Sequence, residues 1–109
     1  MNKYHNKKVQ VDMYVFDSIA ESRRYKELKL LEQAGEISEL ELQPRFLLQE
    51  GFRKNGKNFR KIEYIADFQY IENGRLVIED VKGKETEVFK LKRKLFEHEY
   101  PDYELKLIK

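Results

Sequence analysis

Two Asn-Gly dipeptides constrain the fold of this chain more than any other feature. Asn55-Gly56 and Asn73-Gly74 are each flanked by strand-like runs of aliphatic and aromatic residues. Asn-Gly is the strongest short-range signal of a two-residue hairpin, because both residues tolerate the positive φ of a type I′ turn. The dipeptides therefore predict a three-stranded antiparallel meander with strands at about 37–52, 58–71 and 75–82. We expect Gly51 to introduce a bulge into the first strand.

A helix is predicted before the meander. Residues 9–16 alternate imperfectly, which predicts a short hairpin. Ser18 and Glu21 then have the spacing of a capping box, and Gly35 is a typical helix stop. We therefore expect a helix from about 18 to 34. Its apolar stripe at helical spacing consists of Ala20, Tyr25, Leu28 and Leu31.

A second helix and a final strand are predicted after the meander. Thr86 or Glu85 can cap a helix over about 87–100, and Pro101 ends it. Its core-facing arc consists of Val88, Phe89, Leu91, Leu95, Phe96 and Tyr100. Residues 103–108 alternate like a strand. The order α-β-β-β-α-β after a short N-terminal hairpin predicts an α/β (α+β, mixed-sheet) fold, and 109 residues predict one domain over 1–109.

Composition excludes several classes of protein. The chain has no cysteine, so it carries no disulfide scaffold and no Cys-ligated zinc or iron–sulfur site. Its apolar runs are too short for a membrane span and its N-terminus lacks the apolar segment of a signal peptide. We therefore expect a cytoplasmic protein with no membrane partner.

Charge is segregated along the chain although the net charge is only +2. Residues 51–62 carry five basic and no acidic side chains, and residues 82–94 carry six basic and two acidic ones. Two basic blocks predict a face that meets a polyanion such as nucleic acid. The alternative is an ordinary surface of mixed charge.

Two aspartates are predicted to face each other across the second hairpin. Counting outward from the Asn73-Gly74 loop, Asp67 faces Asp80, and Lys82 shares their face of the sheet. Facing like charges destabilise a sheet. Mg²⁺ or Mn²⁺ would compensate, because both prefer oxygen ligands; the alternative is a solvated sheet edge with Lys82 as salt bridge. The other face is expected to carry Ala66, Phe68, Tyr70, Val77 and Val81, with Glu79 as an exception.

Glu21 adds a third acid to this interpretation. It falls within the apolar stripe of the first helix, so its carboxylate is expected to point at the sheet. The alternative is that Glu21 serves only as the capping-box partner of Ser18.

The ordered set Glu21, Asp67 and Asp80-Val81-Lys82 resembles the PD-(D/E)XK nuclease superfamily, whose restriction-endonuclease-like core has a similar element order. Ala66 stands where the superfamily name has proline. Over nearly the whole chain, the sequence also looks like a small phage and prophage family of domains of unknown function within that superfamily. The segments that carry this narrower resemblance are Phe16-Asp17-Ser18, Glu21 with Arg24-Tyr25, Leu42-Gln43-Pro44, Tyr64-Ile65-Ala66-Asp67-Phe68 and Asp80-Val81-Lys82-Gly83.

The resemblance implies a metal-dependent active site. Asp67 and Asp80 would ligate Mg²⁺, for which Mn²⁺ would substitute, with help from the carbonyl of Val81. Glu21 would bind the ion through water or hold a second ion. Lys82 would orient or help deprotonate the attacking water and stabilise charge on the phosphate. A lysine amid carboxylates keeps its charge, which favours electrostatic stabilisation over general-base work. We therefore expect a Mg²⁺-dependent endodeoxyribonuclease of phage or prophage origin.

Basic residues near this site are expected to bind the DNA backbone. The residues predicted to bind nucleic acid are Lys84, Thr86, Lys90, Arg93, Lys94, Lys57 and Arg60. Thr86 alternatively caps the helix, and the helix cations alternatively form a solvated face. Lys92 lies inside the apolar arc, where it snorkels or reaches a phosphate. Gln43 is a further candidate for lining the site.

The small size of the chain bears on its substrate. Specific DNA interfaces usually bury about 1,000 Å² of protein or more, so we expect a homodimer or an enzyme selective for branched or junction DNA. Two other functions stay open: a non-catalytic DNA-binding module on the same fold, and a structural protein in which Asp67, Asp80 and Lys82 form a salt-bridge cluster.

Overall fold

The computed structural model describes residues 8–109 and confirms the mixed α and β class. The predicted absence of a signal peptide concerns residues that lie mostly outside this range. In chain order the elements are β1 (Val9–Val11), β2 (Tyr14–Phe16), α1 (Ile19–Gln33), β3 (Ser38–Leu42), β4 (Arg45–Gln49), β5 (Phe52–Lys54), β6 (Lys57–Phe59), β7 (Ile62–Ile65), β8 (Phe68–Glu72), β9 (Arg75–Val81), α2 (Glu87–Glu99) and β10 (Glu104–Ile108). Within residues 8–109, neither helix is long and apolar enough to cross a membrane.

A four-stranded mixed sheet forms the centre of the fold, in the order β10-β9-β8-β3. The pairs β3–β8 and β8–β9 are antiparallel, so the predicted meander is present. Strand β10 pairs in parallel with β9, and α2 makes the crossover that a parallel pair requires. The predicted order of helices and strands is therefore confirmed.

The first two predicted strands are divided, which the sequence interpretation missed. Pairs β3–β8, β4–β7 and β5–β6 follow one another as a two-stranded ribbon that ends at the Asn55-Gly56 turn. The first break falls at Gln43, whose φ is +52°, and at Pro44, which has no N–H for a ladder. Across the break, Gln43 N–H donates to Asp67 O at 2.9 Å and Ala66 N–H donates to Pro44 O at 3.1 Å. The ribbon therefore continues but bends there.

The bulge predicted at Gly51 lies elsewhere. The register of the β4–β7 pair shifts between Leu47 and Gln49. Gly51 instead marks a close approach of two backbones: a Cβ at this position would lie 3.0 Å from the carbonyl oxygen of Phe59 and 3.1 Å from the backbone nitrogen of Lys61. A side chain at this position would therefore require the facing backbone to shift by a few tenths of an ångström.

Two apolar clusters cover the two faces of the sheet. The cluster under α1 consists of Phe16, Tyr25, Leu28, Ile37, Phe68, Tyr70 and Val77. The cluster under α2 consists of Phe46, Leu48, Tyr64, Ala66, Ile78, Phe89 and Phe96. Val77 and Ile78 belong to different clusters because successive strand side chains point to opposite faces. Ala66 lies under α2 rather than beside Phe68, since the chain bends between them.

Three residues predicted for the core lie outside it. In α1, Ala20 is exposed, while Tyr25 and Leu28 are buried as expected. In α2, Val88 is 64% exposed and Leu91 is 59% exposed. The second helix therefore presents a narrower apolar face than predicted, with Phe89 and Phe96 as its buried residues.

Candidate active site

The aspartate pair lies where β8 and β9 meet the bend of the ribbon. The predicted register is confirmed from Glu72 opposite Arg75 as far as Phe68 opposite Glu79, where β8 begins, so the predicted pair of Asp67 and Asp80 lies just beyond the ladder. Asp67 is the next residue outward, and its N–H donates to the carbonyl of Glu79 at 3.1 Å. Its side-chain Oδ2 accepts the N–H of Val81 at 2.7 Å. The carboxylate of Asp67 is therefore held against the end of β9, beside Asp80.

Asp80 is buried, with 2% of its surface exposed. Its Oδ2 accepts a hydrogen bond from the hydroxyl of Tyr64 and lies 3.6 Å from Nζ of Lys82. The salt bridge of the alternative interpretation is thus present. The solvated edge that went with it is wrong, since Asp80 is enclosed.

The two carboxyl groups interact strongly. Burial, a hydrogen bond shared with Asp80 and the charge of Asp80 raise the pKa of Asp67 to about 8. The bond from Val81 N–H acts in the opposite direction but is outweighed. Without a cation, the site therefore favours a proton on the pair, because two charged carboxylates repel each other.

Glu21 lies in the first turn of α1, next to the Ser18 cap, and also lines the site. Its N–H donates to Oγ of Ser18 at 3.1 Å, as a capping box requires. Burial, followed by the negative charge of Asp17, raises the pKa of the Glu21 carboxyl. The negative charge of Asp80 raises this pKa further, and the positive charge of Lys82 lowers it. The bond from its N–H is one half of the predicted capping box, and its carboxyl reaches the wall of the pocket beside the aspartates.

A pocket of about 220 Å³ opens beside the acids. Glu21, Asp67 and Gln43 contribute its polar lining, and Phe16 and Phe68 are among its apolar walls. Gln43 was predicted only as a candidate for lining the site, and its backbone strain at the ribbon bend brings it there. The pocket can admit part of a ligand next to Asp67.

Lys82 faces α2 on the other side of the acids. Its Nζ lies 4.5 Å from the centre of the Phe89 ring. It lines a second pocket of about 230 Å³ together with Thr86 and Lys92. Lys92 is half-buried, as expected for a lysine within the apolar arc. Two cations therefore share one opening next to Asp80.

The other predicted nucleic-acid-binding residues are spread over the surface. Oγ1 of Thr86 accepts from Phe89 N–H at 3.1 Å, so this residue is the helix cap. Lys84 lines a third pocket with Glu21 and Val81. Lys90 pairs with Glu87 at 3.6 Å, within its own helix. Arg93 is half-buried and Lys94 exposed on the same helix, and Lys57 and Arg60 lie on the distal part of the ribbon.

The donor atoms of the site match Mg²⁺ in type, although the acids do not form a complete cage. Across residues 8–109, no group of three or more His, Cys, Asp or Glu side chains is arranged to hold a metal ion. Asp67 and Asp80 alone are close partners. Mg²⁺ is usually held by one or two carboxylates with waters and phosphate oxygens, so this pair fits the ion.

Sequence reasoning missed two polar interactions beside the site. Glu79 is completely buried, and Arg24 of α1 forms two hydrogen bonds with it, at 2.8 and 2.6 Å. Tyr70 donates to the same carboxylate at 2.5 Å. The interruption of an apolar face by Glu79 was a signal of this bond, but its partner is 55 residues away. The hydrogen bond from Tyr64 to Asp80 left no signal in the sequence.

Residues 1–109 match a family described as "Protein of unknown function (DUF1064)". The chain belongs to this family. Neither the search of curated proteins nor the search of solved structures finds a match. The predicted membership in a family of domains of unknown function is therefore confirmed over residues 1–109 of this DUF1064 protein.

Proposed function

We propose that this DUF1064 protein is a metal-dependent endodeoxyribonuclease of the PD-(D/E)XK superfamily, with Asp67, Asp80, Glu21 and Lys82 as its active site. One observation carries the proposal: two adjacent carboxylates, with Asp80 buried and Asp67 half-buried, have a single lysine, 3.6 Å from Asp80, as their only close cationic partner within residues 8–109. Burying two carboxylates side by side is costly unless a cation or a proton compensates.

The neighbouring Glu79 supports this interpretation by contrast. It is as deeply buried as Asp80, but it has a bidentate arginine and a tyrosine as partners. A carboxylate that serves only the fold is thus fully compensated by the chain itself. The Asp67–Asp80 pair is not, so without a cation it favours a proton, which a bound metal ion would displace.

Each residue has a role that follows from its position. Asp67 and Asp80 would hold Mg²⁺, or Mn²⁺ in its place, with the carbonyl of Val81 as a further oxygen donor. The ion, when bound, would polarise the phosphate and make a water nucleophilic at neutral pH. Lys82 supplies positive charge at the open side of the pair, where it stabilises the charge that develops on the phosphate. Glu21, in the wall of the adjoining pocket, would bind the ion through water or hold a second ion.

The chemistry of the surroundings favours DNA as substrate. Lys82, Lys92 and Lys84 line openings around the acids and supply charge for a phosphate backbone. The chain is too small to read a long sequence. The proposal therefore extends to branched or junction DNA, to a homodimer, and to a phage or prophage enzyme in the cytoplasm of a bacterial host.

Cleavage of two substrates tests the proposal. Supercoiled plasmid and a four-way junction are incubated with the protein in Mg²⁺, in Mn²⁺ and in EDTA. We expect cutting with either metal, none in EDTA, and none by Asp80→Asn. The matched control is Glu72→Gln, which removes an acid from the far end of β8. Equal cutting by wild type and Asp80→Asn would contradict the site.

One observation favours a second candidate, a non-catalytic DNA-binding module. Within residues 8–109, Glu21 does not join the aspartates in a three-acid cluster. This candidate predicts a gel shift that is independent of metal and no nicking under any metal condition.

A further inference from the structure

The distal end of the ribbon projects from the rest of the fold. We call residues 51–62, which contain β5 and β6, the basic arm. Within the described part of the chain, β5 and β6 pair only with each other. Every residue from 51 to 61 is exposed. A two-stranded hairpin without further packing is marginally stable by itself, so burial of a core does not explain its residues.

The charge of the basic arm is one-sided. It carries Arg53, Lys54, Lys57, Arg60 and Lys61 and no acid. Lys54 and Lys57 face each other across the strands, which is unfavourable for like charges. Within residues 8–109, the only salt bridge made by the arm joins Lys61 to Glu63, at 3.7 Å. The arm thus holds positive charge that the described chain leaves uncompensated.

An exposed aromatic pair lies on the same face as these lysines. The rings of Phe52 and Phe59 stack with centroids 4.8 Å apart and an angle of 11°. They are 47% and 39% exposed. Phe52 faces Phe59 two positions away from the pair Lys54–Lys57, so all four side chains share one face. This face joins two cations to an apolar platform.

We infer that this face of the basic arm binds double-stranded DNA beside the active site and holds the substrate without taking part in the chemistry. The inference deepens the proposed nuclease function and rests on it. A major groove admits a two-stranded β-ribbon, so the lysines can contact phosphates while the rings contact sugars and base edges. Charge complementarity selects a polyanion as the occupant.

The distance between arm and site is compatible with one duplex. Arg60 and Asp67 flank β7 on one side of the ribbon and are seven residues apart, which is at most about 24 Å of extended chain. That length corresponds to roughly 7 base pairs. We therefore expect the arm to protect phosphates within this distance of the cleaved bond.

Salt-dependent binding tests the inference. The affinity of the full chain for a fluorescent 30-base-pair duplex is measured in EDTA at several salt concentrations. Lys54→Gln/Lys57→Gln should make the slope of log affinity against log salt shallower by about 1.8, since each phosphate contact contributes about 0.9. Lys54→Arg/Lys57→Arg should keep the slope. Phe52→Ala/Phe59→Ala should lower the affinity at an unchanged slope.

A charge-matched control is Lys26→Gln/Arg75→Gln, which removes two exposed cations outside the arm. If the Lys54→Gln/Lys57→Gln variant changes the salt slope of DNA binding no more than this control does, the inference is overturned. It is also overturned if the arm variant changes only the molecular mass measured by light scattering, because the arm would then be a dimer contact. Arm-dependent binding without nicking would keep the inference and overturn the nuclease. If the protein nicks DNA but the arm variant binds it with the salt dependence of the wild type, the nuclease proposal is kept and the inference about the arm is overturned.

Discussion

At the scale of single residues, two adjacent buried acids on β9 are treated in opposite ways. Glu79 has three hydrogen bonds from Arg24 and Tyr70. Asp80 has the hydroxyl of Tyr64 and a lysine at 3.6 Å, with a second carboxylate beside it. A fully satisfied buried network rigidifies a fold. An incompletely compensated one is a candidate for function.

Loss of Arg24 should be strongly destabilising. Arg24→Ala leaves Glu79 buried without its cation, which typically costs about 3–5 kcal/mol. The double variant Arg24→Met/Glu79→Leu should recover most of this loss, because it removes both charges. Urea unfolding measures the effect. The control Arg45→Ala breaks the exposed pair with Glu63 and should cost about 1 kcal/mol or less; equal losses would contradict the prediction.

Tyr64 is expected to act as a positioning residue for Asp80. Tyr64→Phe removes its hydrogen bond, and loss of such a partner typically costs about 10–100-fold in metal affinity or activity. The readout is the Mg²⁺ concentration that gives half-maximal nicking, which should rise. Tyr100→Phe is the control, because it removes a hydrogen bond of 2.8 Å to the backbone carbonyl of Leu47 in β4. A similar rise in both variants would indicate a general loss of stability instead.

At the scale of elements, the two-stranded ribbon organises the molecule. Its base belongs to the central sheet as β3 and β8, its middle packs under α2 as β4 and β7, and its end is the basic arm. The bend between base and middle contains Gln43 and Asp67, joined by a hydrogen bond of 2.9 Å. The candidate site thus lies where the ribbon leaves the sheet.

The close approach at Gly51 gives a prediction for the ribbon. Gly51→Ala places a Cβ 3.0 Å from the carbonyl oxygen of Phe59, so the strands must separate. We expect lower thermal stability and weaker arm-dependent DNA binding. At Gly83 nothing lies within 4 Å of an added Cβ, so Gly83→Ala should leave the melting temperature unchanged or raise it slightly. Equal melting temperatures would refute the close approach.

At the scale of the whole molecule, each helix secures one wall of the site. Arg24 ties α1 to Glu79 on one face of the sheet, one helical turn from Glu21. On the other face, Phe89 of α2 packs under the ammonium group of Lys82. The acids lie between these walls at the end of β9, so helix packing on both faces determines the width of the opening.

Repulsion between the acids should lower the stability of the metal-free protein as pH rises. Asp67 has a pKa of about 8 against a reference of 3.8. The folded state therefore binds more protons between these values, and its stability decreases as pH rises through this window. Asp67→Asn removes the effect, so its melting temperature in EDTA should exceed that of wild type by several degrees at pH 9.

The difference in melting temperature between Asp67→Asn and wild type should shrink toward pH 4. It should also become smaller in Mg²⁺, because a bound cation stabilises only the wild type. Glu72→Gln is the control and should show neither trend. A lower melting temperature of Asp67→Asn at every pH would mean that Asp67 is needed by the fold. The structural salt-bridge hypothesis predicts stabilisation without any response to Mg²⁺.

The sequence by itself determined the features that depend on neighbouring residues. The Asn-Gly turns set the register that brings Asp67 beside Asp80, and the Ser18 and Thr86 caps begin both helices. These features need only short-range hydrogen bonds and a permitted positive φ. The ordered acids and lysine also carried the resemblance to a family of unknown function.

Only the tertiary structure decided how distant segments compensate one another. Arg24 and Glu79 are 55 residues apart, and Tyr64 and Asp80 are 16 apart. The division of the long strands, the exposure of Leu91 and the bend at Gln43 likewise depend on packing between elements. Such pairings depend on the burial of both partners, and burial is a property of the assembled fold rather than of any local segment.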